Sequence, residues 1–168
     1  MLDFELMFKR QIELDGMIKC CRERDLIDMH MSFRAEVIEF NETLGIENSH
    51  KTWKTKKFTR TEQLNEFVDM LFFVSQFCVS KVEIDEEFKT GVKESWLERS
   101  GKKSIFEKDS VKKLCMILLD STLHQDFEQV IIILSCIAGV MNFTDEEIME
   151  AHKNKYDYNL KRIGGEWN

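Results

Sequence analysis

The sequence predicts an all-α protein, and three observations carry that expectation. There is no proline and there are only seven glycines in 168 residues, so helix interruptions are scarce. Apolar side chains recur at intervals of three and four along most of the chain, as one face of a helix requires. Thr-x-x-Glu pairs open two of these stretches, and glycines close two of them. The length suits one domain, residues 1–168, able to bury a core.

The first periodic stretch runs from Phe4 to about Cys21, with Phe4, Met7, Phe8, Ile12, Leu14, Met17 and Ile18 on it and Gly16 interrupting it. From about Asp25 to Leu44 the positions Leu26, Met29, Phe33, Val37, Phe40 and Leu44 keep the period, and Gly45 is placed as a stop. Ile46 to Arg60 lacks periodicity and holds His50, Trp53, Lys51, Lys54, Lys56, Lys57 and Arg60, which reads as a basic loop. Thr59 with Glu62 then caps a helix reaching about Val82. Glu83 to Lys103 is charged and predicts a short helix over Glu86–Leu97 followed by a linker. Two strongly apolar helices are expected over Val111–Leu123 and Phe127–Met141, joined near His124 to Asp126, and they supply core. Thr144 with Glu147 caps a last helix, Asp145 to Ile163, before Gly164-Gly165. No repeat of 20–50 residues and no low-complexity segment occurs.

Composition narrows the function classes. With 43% hydrophobic and 33% charged residues the chain reads as soluble and globular. The longest apolar run, Gln129 to Val140, suits a buried helix and is too short to span a bilayer. Acids at Asp3 and Glu5 precede the first basic pair, which is unlike a secretory signal, so a cytoplasmic location is expected. Cys20, Cys21, Cys78, Cys115 and Cys136 are odd in number and show no C-x-x-C spacing, which points to reduced, mostly core thiols. A net charge of -7 argues against a nucleic-acid surface. A small anion could still bind through a metal and a local basic patch.

The chemistry concentrates in two acid pairs. Glu36-Val37-Ile38-Glu39 and Glu66-Phe67-Val68-Asp69 each set two carboxylates three positions apart, hence on one helix face, inside an otherwise apolar pattern. Four carboxylates brought together repel one another and resist desolvation unless a cation neutralises them. An all-oxygen donor set of acids is what Mg²⁺ or Mn²⁺ accepts. The competing reading is a solvated, salt-bridging helix surface, on which E-x-x-E is common. In the last helix Lys155, Asn159 and Arg162 fall at i, i+4 and i+7, one face carrying a cation, an amide and a guanidinium suited to phosphate. Any one of these cations taken alone would be read as complementing the helix dipole. Glu47-x-x-His50 is half of a di-iron signature but lies in the loop without a second E-x-x-H. Trp53, embedded among cations, is favoured over Trp96 and Trp167 as a functional tryptophan; His30 and His124 read as structural or solvated.

The ordered set Glu36-x-x-Glu39, Trp53-Lys54-Thr55-Lys56-Lys57, Glu66-x-x-Asp69, and Lys155 with Asn159 and Arg162 resembles the dimeric dUTPases of the all-α nucleoside triphosphate pyrophosphatase superfamily. Gln11-x-x-Leu14-Asp15 resembles that family's opening motif, so the likeness extends from Gln11 to Arg162. The resemblance implies a four-helix core with extra helices, a homodimer, and hydrolysis of dUTP to dUMP and pyrophosphate. It also implies site roles. Glu36, Glu39, Glu66 and Asp69 would hold Mg²⁺, with Glu36 or Glu39 orienting or deprotonating the attacking water. Lys155, Asn159, Arg162 and the loop's Lys56 or Lys57 would bind phosphates, and Gln11, Trp53 and Phe73 would line the uracil pocket.

Two departures bear on the base. Where members commonly read D-G-L-H-F, this chain reads Asp69-Met70-Leu71-Phe72-Phe73, and the late motif is His152-Lys153-Asn154-Lys155-Tyr156-Asp157-Tyr158-Asn159 in place of Y-x-x-K-N-x-x-N. The metal positions are intact, whereas Phe72 replaces a polar His. A pyrophosphatase for another nucleotide such as dCTP is therefore an alternative. A regulatory, protein-binding module that keeps the fold is another, from a different class.

Overall fold

A computed structural model describes residues 2–18, 22–80, 86–99, 110–123 and 127–163. Among these there are seven helices and no strands: α1 (Phe4–Met17), α2 (Leu26–Thr43), α3 (Arg60–Ser80), α4 (Glu86–Arg99), α5 (Val111–Leu123), α6 (Phe127–Met141) and α7 (Asp145–Ile163). The expected all-α class and the order of its elements are observed.

Local chemistry explains the boundaries. Asp3 caps α1 by accepting from the Leu6 N–H at 2.9 Å. Gly16 does not interrupt α1: the Ile18 N–H still reaches the Leu14 carbonyl at 3.1 Å, and the helix ends only as Ile18 turns extended. Asp25 and Asp28 form a reciprocal capping box at the start of α2. Gly45, at φ +84°, follows the helix end in the left-handed conformation that glycine tolerates best. The capping boxes expected of Thr59 with Glu62 and of Thr144 with Glu147 both form. At the end of α6, Asn142 takes φ 54° while the Phe143 N–H bonds back to the Ala138 carbonyl at 2.9 Å, closing the helix in a Schellman-like turn.

Arg60, grouped with the loop's basic residues by sequence, has a structural task. Its guanidinium donates to the carbonyls of Met141 and Asn142 at 2.9 and 2.5 Å and to the carboxylate of Glu147. It thereby ties the start of α3 to the end of α6 and the first turn of α7. The expectations at Cys20–Cys21, at Val82 as the end of α3, in the linker after Arg99, in the His124–Asp126 connection, at Gly164-Gly165 and at Trp167 lie outside the described residues.

α3 is the axis of the site region and packs against α1, α2 and α7. It is buried almost all round from Phe67 to Cys78, with only Phe73 partly open among those residues, as a helix surrounded by neighbours must be. Edge-to-face pairs Phe33–Phe77 and Phe40–Phe67, with centroids 6.3 and 6.0 Å apart, join α2 to α3. Each such buried phenylalanine contributes about 1.5–3 kcal/mol of transfer free energy. α5 and α6 pack on one another, α5 lies against α2, and α6 lies against α4. Trp96 of α4 is buried against Phe4 and donates its indole N–H to Asp145. Cys78, Cys115 and Cys136 are unbridged, and burial pushes the Cys115 thiol up to about 12, so it behaves as a small core residue.

Candidate active site

The packing of α2 on α3 brings the acid pairs together. One carboxylate oxygen each from Glu36, Glu39 and Glu66 lie within 4.8 Å of one another. Asp69, nearly buried one turn along α3, is engaged by the Lys155 ammonium of α7 at 2.6 Å. Crowding leaves its mark on the acids' proton affinity. Glu36 is raised to about 7, first by burial and then by the charges of Asp69, Glu39 and Glu66, with Lys155 opposing. Glu66 is raised by burial and by Asp69 and Glu39. Burial raises Asp69 also, against the pull of Lys155. Three converging carboxylates whose charges disfavour one another form a donor set that fits a hard divalent cation.

Beside the acids opens a cavity of about 250 Å³. Glu36 and Asp69 contribute to its wall from α2 and α3. α7 supplies Lys155, Asn159 and Arg162, the three residues aligned by helical spacing. The rest of the lining includes Gln11, Leu14 and Asp15 of α1 and Phe72, Phe73 and Gln76 of α3. Arg24, just ahead of α2, also borders it and lies over the Phe73 ring at 5.8 Å. One cavity thus joins carboxylates, cations, amides and aromatic faces.

No curated protein matches this chain. The family model for dUTPase matches residues 3–167. The chain belongs to the dUTPase family. As a member of that family, it gathers most of its anticipated site residues on four helices. Glu36, Glu39, Glu66 and Asp69 stand at or beside the acid cluster, Gln11 and Phe73 are on the cavity wall, and Lys155, Asn159 and Arg162 border it from α7.

The structure does not bring the loop residues to the cavity. Trp53 is 73% exposed, and Lys56 and Lys57 are exposed; none of the three lines the cavity. Ion pairs hold Lys51, Lys54 and Lys56 of the loop locally. Lys51 and Lys54 both engage Glu42, the latter at 2.9 Å, while Lys56 pairs with Glu62 at 3.0 Å and lies over the Phe58 ring. Asn41 anchors the start of the loop through the Asn48 carbonyl and the His50 N–H.

Sequence reasoning missed Arg24 and Gln76, and it read Asp15 only as part of a motif. Gln76 had a readable signal: Glu66, Asp69, Phe73 and Gln76 stand at i, i+3, i+7 and i+10 and so share a face of α3. It also missed what stands behind Phe72. His152 of α7 is fully buried and stacks flat on that ring, with centroids 4.1 Å and planes 6° apart. Its Nδ1 lies 3.1 Å from the Arg10 guanidinium, and burial followed by Arg10's charge lowers its pKa to about 3. The imidazole is therefore neutral and does not line the cavity.

Proposed function

We propose that this protein is a Mg²⁺-dependent dUTP pyrophosphatase, hydrolysing dUTP to dUMP and pyrophosphate, with Mn²⁺ able to substitute, and that it works as a cytoplasmic homodimer. The observation that carries the reading is the shared wall on which Glu36 and Asp69 adjoin Lys155, Asn159 and Arg162. Acids suited to a divalent cation then stand next to donors suited to phosphate, as a triphosphate needs.

Glu36, Glu39, Glu66 and Asp69 would hold the metal. Mg²⁺ bound there would neutralise phosphate oxygens and acidify the attacking water. Glu36 borders the cavity whereas Glu39 is exposed, which favours Glu36 as the acid that orients the water and takes its proton. Lys155 pairs with Asp69 in the free protein and would meet a phosphate held on the same wall. Asn159 and Arg162 would add an amide donor and a planar guanidinium fork for phosphate oxygens. Gln11 would hydrogen-bond the base and Phe73 stack on it. Trp53, Lys56 and Lys57 would take part only if the loop moves toward the cavity. All helices among the described residues fall short of the length and apolarity needed to cross a membrane.

The test is pyrophosphate release from each deoxynucleoside triphosphate with Mg²⁺. Release chiefly from dUTP, abolished by EDTA, is expected; no release from any of them would sink the reading. Phe72 keeps a second reading open, dCTP as substrate, because no polar imidazole stands at that point of the wall to mark the base. Release chiefly from dCTP would replace the first reading with this one.

A further inference from the structure

Three polar side chains at the α1–α3 contact form a closed hydrogen-bond set. The Nε2 amides of Gln11 and Gln76 both donate to one oxygen of Asp15, Oδ1, at 2.8 and 2.9 Å. Gln11 and Gln76 are only 5% and 7% exposed, and all three residues line the cavity. The carbonyl oxygens of both glutamines, by contrast, are buried without any hydrogen-bond partner. An unpaired buried acceptor is costly, and both oxygens belong to side chains of one cavity wall, so a ligand donor that reached either of them would relieve that cost.

A free carboxamide can turn over and exchange its oxygen for its nitrogen, and so serve a donor or an acceptor alike. A carboxylate cannot donate, so both nitrogens are held toward Asp15 and neither glutamine can turn without losing its bond. Each amide then has an acceptor oxygen and one N–H left for a ligand. That inventory suits a cyclic imide, in which one N–H lies between two carbonyls: the N–H is met by a glutamine oxygen and the carbonyls by the remaining amide hydrogens. On cytosine the ring nitrogen carries a lone pair and the flanking amino group donates, which opposes the locked pattern at two of three positions.

We propose that Asp15 and Gln76 set the base preference of this cavity, Gln76 as a second base-reading amide beside Gln11 and Asp15 as the positioning residue that locks both. The selected class is a pyrimidine imide such as uracil over an amino pyrimidine such as cytosine. This rests on the proposed pyrophosphatase activity and adds residues and a discrimination mechanism to it. Phe72 leaves the neighbouring wall apolar, so the polar marking of the base falls to the Asp15-centred set.

The test compares kcat/KM for dUTP and dCTP in the unaltered protein, Asp15→Asn and Gln76→Met, with circular dichroism to verify folding. Asp15→Asn preserves shape but introduces a donor that lets the glutamines turn. The dUTP-to-dCTP ratio should fall about 10-fold or more in that variant, the size of one misplaced buried hydrogen bond, with the change in KM rather than in dUTP kcat. Gln76→Met, close in shape and without polar ends, should raise the KM for dUTP by a similar factor. A merely structural role would lower turnover of both nucleotides together and leave the ratio unmoved, which overturns the inference; so does an unaltered protein that prefers dCTP. Turnover of neither nucleotide by the unaltered protein overturns the proposed activity and this inference with it, whereas good dUTP turnover with an unmoved ratio overturns the inference alone.

Discussion

The cavity between α1, α2, α3 and α7 and the loop from Ile46 to Thr59 both carry charges suited to a nucleotide, yet they treat those charges differently. In the cavity, helix packing holds like charges together: Glu36, Glu39 and Glu66 converge, and the ammonium that meets the acid group directly is that of Lys155, on Asp69. In the loop, lysines pair with acids close in sequence, Lys51 and Lys54 with Glu42 and Lys56 with Glu62. The electrostatic frustration is therefore confined to the helices. Buried aromatic packing between α2 and α3 can hold such a cluster because it outweighs the repulsion, whereas a surface loop has no comparable packing and relaxes to neutral pairs.

The sharpest break of this contrast is to remove a charge from the cavity. Glu36→Gln or Asp69→Asn keeps shape and helicity while deleting one metal-holding carboxylate. Each should lower kcat/KM for dUTP by at least ~10²-fold, the cost typical of removing one well-placed electrostatic group. Pyrophosphate release measured alongside circular dichroism checks this, and full activity in either variant would take that residue out of the site. Lys155→Met comes next. It strips the counter-charge from Asp69 and a phosphate donor from the wall, and an effect of about 10- to 100-fold, mainly on KM, is expected for a charge-assisted contact.

Much of this contrast is legible in the amino-acid sequence. The acid pairs stand out because i, i+3 carboxylates inside an apolar period have few core explanations, and helix geometry alone then fixes their common face. Lys155, Asn159 and Arg162 are readable for the same reason. α2 and α7 begin and end close to where capping residues and Gly45 put them. Asp15 is harder, since a polar residue at a helix contact looks alike whether it satisfies the packing or meets a ligand, and Gln76 is legible only through the face it shares with Glu66, Asp69 and Phe73. His152 is hidden because its partner Phe72 lies on another helix far away in sequence and nothing local pairs them. The loop is less legible at Trp53, Lys56 and Lys57, because its course depends on ion pairs such as those of Lys54 with Glu42 and Lys56 with Glu62, which carry no periodic signature.

Acid should weigh on stability through His152, at the cavity's backing. His152 has its pKa lowered to about 3 by burial and by Arg10, below the unfolded value of 6.5. Below 6.5 the unfolded chain takes up a proton that the native imidazole refuses, so the stability it contributes is fully present above that value and is lost as pH falls. At about 1.4 kcal/mol per unit, roughly 2 kcal/mol disappears between about pH 6.5 and 5. Glu36, raised to about 7, takes up a proton in the native state over the same range and offsets this loss in the total, so urea unfolding of the protein and of a His152 variant at about pH 7 and about pH 5 isolates the His152 share. His152→Phe, which retains a ring against Phe72, should remove that share and so gain roughly 2 kcal/mol relative to the unaltered protein between about pH 7 and about pH 5; the same pH response in both proteins would place the acid sensitivity in other groups.

The smallest effect is expected where the loop's charges are already neutralised. Lys56 donates to Glu62, which also completes the cap of α3 through Thr59, so Glu62 keeps its backbone partner when the lysine is lost. Lys56→Ala should leave the melting temperature nearly unchanged, as expected for an exposed ion pair. Its kcat/KM for dUTP should fall by less than about fivefold if the loop stays as it stands, because Lys56 does not line the cavity. The same variant distinguishes a fixed loop from a closing one. A loop that swings in to grip phosphates would exchange Glu62 for the substrate, and the loss would then approach that of Lys155→Met and grow weaker with added salt, since an exposed contact is screened over about 10 Å at about 0.1 M. A small, salt-insensitive effect would keep the catalytic charges on the helices and leave the loop's lysines as surface partners of Glu42 and Glu62.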